Sequence, residues 1–366
     1  MPTFDALADL TLRVDGYDLE PLEALIGPEQ LRRCTVVHLA GGGEVGLGED
    51  VTYDPDDHQR FQSGGAVHDL AGTWTLADFC AHTAELDLFG GTEPANAAYR
   101  LYRLWAFHSA ALDLALRQAG RSLAEVLGRD ARPMRYVAST RLGEPPSLEP
   151  VTRRLGLDPT LRFKLDATSS WTVEIFTALV ETEAVDSIDL KGLYRDSPVD
   201  QPGDPVLYRR VVEAFPDAWI EDPDLSVPEA AAALAAHHDR ITWDANIHSI
   251  ADIEGLPFPP RMVNLKPSRI GDLRALCATY DFCAAHGIGA YSGGQTELGV
   301  GRGQAQYLAA LFHPDAPNDL APAAYNLPDP PAGLPPSPLV ADLSCPGFRW
   351  PQLPGGEASG ASAADG

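Results

Sequence analysis

Residues 161–168 read LRFKLDAT, and four later stretches repeat the plan: SIDLKGLY (187–194), AWIEDP (218–223), ITWDAN (241–246) and MVNLKPSRIG (262–271). In each, an apolar run meets a charged landmark: Lys164, Asp189, Glu221, Asp244 and Lys266. Segments of helical pattern lie between them, such as PVLYRRVVEAF (205–215) and VPEAAAALAAHH (227–238). Strand candidates end near Ala138, Lys164, Asp189, Glu221, Asp244, Lys266 and Tyr291, about 25 residues apart on average. That rhythm predicts an α/β protein and favours a closed parallel barrel over an open sheet. In such a barrel every strand delivers its C-terminal residue to one mouth, so the five charges converge.

The chain before this region reads differently. LTLRVDGYDL (10–19) and CTVVHLAGGGEVGLGED (34–50) alternate around turns, which predicts a small antiparallel sheet with Gly-rich hairpins. From Trp74 to Gly128 the pattern becomes helical, and YRLYRLWAFHSAALDLALRQAG (99–120) ends on Gly120, a natural C-terminal cap. The expectation is an α+β capping domain over 1–130 and a modified TIM (β/α) barrel over 131–330. An extended piece at 335–350 returns to the cap, and the small polar residues 355–366 are expected to be disordered.

Composition narrows the function. A length of 366 residues suits two domains, and 45% apolar residues suit a large core. A net charge of −25 leaves no basic surface for nucleic acid. No apolar run spans a bilayer, and MPTFDALADL lacks the basic start of a signal peptide, so no membrane partner is expected. Five cysteines (Cys34, Cys80, Cys277, Cys283, Cys345) with no CxxC pair read as reduced thiols of a cytoplasmic protein. Oligomeric state is left open. Residues 41–46, GGGEVG, satisfy the dinucleotide fingerprint, but strand-like EVGLGEDVTY follows where a helix must open, so the glycines read as a hairpin turn.

Three carboxylates from consecutive strand ends, Asp189, Glu221 and Asp244, are the hard oxygen donors an octahedral Mg2+ takes, with water and substrate completing the shell. Any one of them alone would read as a solvated strand end or a helix cap. Lys164 and Lys266 end largely apolar strands, where an uncompensated charge is expensive. A lysine base must drop from about 10.4 to about 7–8, a shift worth roughly 4 kcal/mol. A cation with a base on either side suits removal of a proton next to a carboxylate.

These residues carry a resemblance. Arg162-Phe-Lys164, Asp189-Leu-Lys-Gly-Leu-Tyr194, Glu221-Asp-Pro223, Asp244-Ala-Asn246, Asn264-Leu-Lys266-Pro and Gly293-Gly-Gln-Thr-Glu297-Leu-Gly299 are similar, in order, to motifs of the enolase superfamily. The nearest pattern is the muconate-lactonizing subgroup, which includes o-succinylbenzoate synthase and N-succinylamino-acid racemase. GGEVGLGEDVTY (42–53) and SAALDLALRQAGRSLAEVLG (109–128) resemble its N-terminal hairpin and last capping helix.

The resemblance implies a lyase or isomerase that abstracts the α-proton of a small carboxylate through an enediolate, leading to dehydration, racemisation or cycloisomerisation. It implies Lys164 and Lys266 as acid/base residues, Asp189, Glu221 and Asp244 as Mg2+ ligands, and Arg162, Gly293, Gln295 and Glu297 at the substrate. The sequence departs from the pattern in four places. Arg162 stands for the first KxK lysine, Asp166 allows that motif to be read one step later, Gln295 replaces a methionine, and Lys191 replaces the asparagine of DAN. Lys191 either points into the mouth, where its ammonium modifies the metal site, or leans out to solvent. The second reading is therefore a divergent barrel without metal-dependent catalysis, acting as a small-molecule binding protein.

Overall fold

The computed structural model describes residues 2–26, 30–195, 197 and 199–351. The expected disorder of 355–366 lies outside them. Strand β1 (Thr11–Val14) pairs antiparallel with β5 (Gly72–Thr75), and β2 (Gly16–Leu25), β3 (Leu31–Gly41) and β4 (Glu44–Asp50) form an antiparallel meander. The glycine run is a hairpin turn: Gly42 and Gly43 take φ +59° and +83° between β3 and β4. Trp74, expected to open the helical region, lies in β5, and helices occupy 76–84 and 99–118.

The helix Tyr99–Gln118 lies directly on β4. Two glycines make this approach possible. Gly46 and Gly48 share one face of β4, and a methyl group on them would overlap the carbonyl oxygens of Ala110 and Ala106. The helix ends as its sequence predicts: Gly120 at φ +63° lets Arg121 N–H reach the Leu116 carbonyl at 3.0 Å.

The second half is a ring of parallel strands. β6 (Ala138–Thr140), β7 (Phe163–Asp166), β8 (Val185–Asp189), β9 (Trp219–Glu221) and β10 (Ile241–Thr242) form one sheet in sequence order, and β11 (Met262–Asn264) pairs with β12 (Gly289–Tyr291). Asn264 N–H donates to the Trp243 carbonyl at 2.9 Å and joins the two sets. The last gap is filled by Asn318–Asp319, too short to be a strand. Val137 N–H reaches the Asn318 carbonyl at 2.8 Å on one side, and Asp319 N–H reaches the Ser292 carbonyl at 2.8 Å on the other. The barrel is therefore closed, an α/β fold with an antiparallel sheet and helices before it. One face of its staves is apolar, with Leu165, Ile188, Ile220 and Ile241 level with one another and, like Phe163, fully buried, while the other face carries Lys164, Ser187, Asp189, Glu221 and Thr242.

Residues after the ring run back across the first half. Leu339 bridges Met134, and Asp113 on the helix Tyr99–Gln118 accepts Phe348 N–H at 2.8 Å and Arg349 Nε at 2.7 Å. No helix among the described residues is long and apolar enough to cross a membrane.

Gly48→Ala should lower stability by about 1–3 kcal/mol through forced separation of helix and sheet. Urea unfolding checks this, and an unchanged midpoint would mean the contact is not limiting.

Candidate functional site

The register sets the site's floor. Asp166 on β7 lies level with Asp189 on β8, and Asp189 with Glu221 on β9. Asp244 and Lys266 follow β10 and β11 by two residues, and Lys164 sits one side-chain layer below Asp166. All seven of Lys164, Asp166, Asp189, Glu221, Asp222, Asp244 and Lys266 are buried.

Two subgroups divide the mouth. In the first, Lys164 Nζ bonds Glu221 Oε1, lies 3.0 Å from Asp189 Oδ2 and 3.7 Å from Asp319 Oδ2. Tyr291 OH donates to the other Glu221 oxygen. Lys191 turns into the mouth, with its ammonium on Asp189 Oδ2 and its backbone N–H donating to Asp189 Oδ1 at 3.0 Å. In the second, Asp244 Oδ2 accepts from Lys266 Nζ and Tyr194 OH, each at 2.8 Å, while Arg269 Nη1 lies 2.5 Å from Asp244 Oδ1.

The electrostatics separate the two lysines. Burial presses Lys164 down, but Asp189 and Glu221 outweigh it and hold the ammonium well above the usual lysine range. Lys266 is lowered: burial leads, Asp244 opposes it, and the cations of Arg269 and Lys164 add to the fall. Asp244 is held well below the carboxylate range: burial presses it up, but Arg269 and Lys266 overcome that pressure. Glu221 goes the other way. Burial, Asp189, Asp244 and Asp222 together outweigh Lys164 and push it well up. Asp222 is raised to about 7 by burial and by Asp244 and Asp189.

Surplus negative charge thus collects on one side of the mouth. One oxygen each of Asp189, Glu221 and Asp222 lies within 4.8 Å of the others, a donor set suited in kind and charge to a hard divalent cation. Asp244, expected as the third ligand, lies outside this group of three and bonds Lys266, Arg269 and Tyr194.

The remaining expected residues fall into two places. Gly293, Gln295 and Glu297 lie on the loop after β12, beside Lys266. A Cβ on Gly293 would stand 2.9 Å from Lys266 Cε and 3.2 Å from Asn264 Nδ2. Glu297 Oε1 accepts Gln295 N–H at 2.6 Å, and Ser268 Oγ bonds Gln295 Oε1. Arg162 is elsewhere. It precedes β7 at the opposite end of the ring, where it bonds Asp186 and the Glu183 carbonyl and lines a cleft of about 430 Å³ with Arg132 and Arg135.

Several residues of the site carried no sequence signal strong enough to select them. Arg269 follows Lys266 by three residues on the one-turn helix Pro267–Ile270, a spacing that puts it back over the mouth. Asp222 would point away from Glu221 in a regular strand, but φ +49° turns the chain so that its oxygens accept the N–H groups of Asp244 (2.8 Å) and Ala245 (2.9 Å). Arg32 comes from β3 and binds the Gln295 and Thr296 carbonyls, each at 3.2 Å, which ties the first half of the chain to the mouth. Buried polar atoms of Asn264, Ser292 and Gln295 (Nε2) have no hydrogen-bond partner among the described residues, and of these Asn264 lies beside Gly293, which neighbours Lys266.

Two family descriptions match end to end: "Domain of unknown function (DUF8230) N-terminal domain" over residues 5–126 and its "C-terminal domain" over 130–327. The chain belongs to the DUF8230 family. It is also 27% identical to an N-succinylamino acid racemase of Amycolatopsis sp over 321 residues, 84% of this chain and 83% of that one. An enolase from Mycobacterium smegmatis has the same fold, with a TM-score of 0.64 at 18% identity, covering 92% of this chain and 88% of that one. Muconate lactonizing enzyme from Pseudomonas putida matches with a TM-score of 0.59 at 20% identity, covering 84% and 88%. The DUF8230 chain therefore has the enolase-superfamily fold.

Asp222 should make stability pH-dependent in the cation-free protein. A carboxyl raised from 3.8 to about 7 in the fold contributes stability at low pH that is lost as pH rises through about 7. Urea unfolding between those limits should show this fall, and Asp222→Asn should flatten it. An equal slope in the variant would assign the fall to another group.

Proposed function

We propose that this protein removes the proton α to the carboxylate of a small organic acid, with Lys266 as the base. The observation that carries the reading is the opposition of Lys266 and Lys164. They reach the mouth from β11 and β7, four staves apart in a ring of eight, one lowered toward neutrality and the other held as an ammonium. The superfamily relationships support proton abstraction as the general chemistry.

Asp189, Glu221 and Asp222 would hold Mg2+, which supplies positive charge to a carboxylate whose α-carbon is losing its proton. Lys266 Nζ accepts that proton, and the C–H electron pair moves into the carboxylate to give an enediolate. Lys164 holds its proton while the C–H bond breaks and adds positive charge on the opposite face. Asn264 and Gln295 would offer unspent hydrogen-bonding atoms to orient the rest of the acid. Return of the proton from Lys266 restores the substrate, transfer of the Lys164 proton to the opposite face of the enediolate gives the isomer and leaves Lys164 neutral, and loss of a β-substituent that takes its proton from Lys266 gives an alkene. A lysine or histidine base working with Mg2+ is the general pattern of enolase-superfamily sites, and Lys266 fits the first form of it.

N-succinylamino acids are the first substrates to test, because a relative is an N-succinylamino acid racemase. Exchange of the α-hydrogen in D2O, followed by proton NMR with Mg2+ present, should fall by about 10²–10⁴-fold in Lys266→Ala. The wild-type rate should rise with pH, since only neutral Lys266 accepts a proton, and level off below the usual lysine value of about 10.4. Exchange retained in Lys266→Ala would move the base elsewhere.

One observation favours a binding protein as the second reading: all the carboxylate oxygens of Asp189, Glu221 and Asp244 already have protein donors. Ligand-induced stabilisation without exchange would select it.

A further inference from the structure

We infer that Lys191 is a resident counterion that competes with a divalent cation for Asp189, and that Asp166 is the acceptor to which its ammonium moves when the cation enters. The inference rests on the reading that Asp189 and Glu221 hold such a cation.

A single residue engages both oxygens of Asp189, the backbone N–H of Lys191 on Oδ1 and its ammonium on Oδ2. A cation at Asp189 meets that ammonium at close range, where two like charges repel by several kcal/mol at about 4 Å under an effective dielectric near 20. The ammonium therefore has to leave Asp189 or the cation stays out.

A landing place is built beside it. Asp166 Oδ1 is 3.5 Å from Lys191 Nζ, buried, and without a hydrogen-bond partner among the described residues, and the residue is only 8% exposed. The other oxygen, Oδ2, accepts from Arg141 Nε at 2.7 Å, which fixes the carboxylate with its free oxygen toward Lys191. Closing 3.5 Å to a hydrogen-bond length takes a movement of less than about 1 Å. An unpaired buried carboxylate oxygen is costly, so the arrangement with Lys191 on Asp189 leaves a demand at Asp166 that the displaced ammonium meets.

The movement belongs to the side chain. Gly192 packs so closely on Asp224 that a Cβ there would overlap the Asp224 backbone nitrogen, which holds the chain just after Lys191 in place. The Tyr194 ring, 5.0 Å from Lys191 Nζ, offers its face to the ammonium. Lys164 has no such freedom, because its ammonium is shared among Asp189, Glu221 and Asp319.

The test is Mg2+ titration by calorimetry on the metal-stripped full chain near neutral pH, for wild type, Lys191→Asn, Asp166→Asn and the double variant. Asparagine tolerates the left-handed backbone of position 191 (φ +53°), and Lys191→Met keeps the aliphatic stem should Lys191→Asn not fold. Lys191→Asn should bind Mg2+ about tenfold more tightly or better. Asp166→Asn should bind it about tenfold more weakly in the wild-type background and make no difference beside Lys191→Asn, the signature of coupled residues. Binding by Lys191→Asn but not wild type would also support the inference. Equal affinities in wild type and both Lys191 variants would overturn it and leave the proposed cation site standing. Absence of binding in all the variants would overturn both.

Discussion

The mouth of this barrel is governed by charge that has been taken out of water. Five buried carboxylates (Asp166, Asp189, Glu221, Asp222 and Asp244) face Lys164, Lys191, Lys266 and Arg269 in one enclosed group. A buried ion persists only if it is paired and hydrogen-bonded, so each of these side chains constrains its neighbours. Asp244 has three donors and stays ionised, which fixes Lys266 and Arg269. Glu221 and Asp222 are left with more negative neighbours than positive ones, and both are driven up. The imbalance that weakens the fold near neutral pH is the same one that would make a cation welcome.

The rest of the structure holds that group in position. Glu49 in β4 accepts the N–H groups of Leu298 (2.7 Å), Gly299 (3.0 Å) and Gly301 (2.8 Å), capping the helix Val300–Phe312 from another part of the chain. Arg32 binds carbonyls of the same loop, and its guanidinium stacks 4.5 Å from the Tyr53 ring. The loop that carries Gly293, Gln295 and Glu297 is therefore gripped from the antiparallel sheet. Its geometry beside Lys266 depends on residues far earlier in the chain (Glu49 to Leu298 spans 249).

Much of this was legible in the sequence, for a physical reason. Each stave buries an apolar outer face, as Phe163, Leu165, Ile188, Ile220 and Ile241 do, and the charges on its inner face and at its end stand out against that background. The eighth stave that closes the ring was not legible, because Asn318–Asp319 forms its contacts through two backbone units and an asparagine side chain, inside a stretch (HPDAPNDL, 313–320) with no apolar run. Arg162 shows the limit of spacing arguments. It lies two residues before Lys164, the spacing of a shared strand face, yet it comes before the first residue of β7 and its guanidinium bonds Asp186 at the far end of the ring. Asp222 fails the same alternation rule in the opposite direction, because its left-handed backbone breaks the strand at the point where the rule would be applied.

That backbone conformation recurs where it matters. Among the described residues four non-glycine positions have positive φ, and three of them, Lys191, Asp222 and Thr296, border the mouth. Each such residue costs about 1–3 kcal/mol unless its side chain or its surroundings favour the geometry. Thr296 is held by Arg32 on its carbonyl, and Asp222 by the two N–H groups its carboxylate receives. Among the described residues the Lys191 carbonyl receives two long bonds, from the N–H groups of Gln201 (3.3 Å) and Tyr194 (3.4 Å). Lysine also has none of asparagine's ease with a left-handed backbone. The firmer hold at this position is Asp189, which takes both the N–H and the ammonium, so strain and charge are coupled there. A ligand that takes Asp189 away removes the compensation, and the open oxygen of Asp166 is the group placed to restore it.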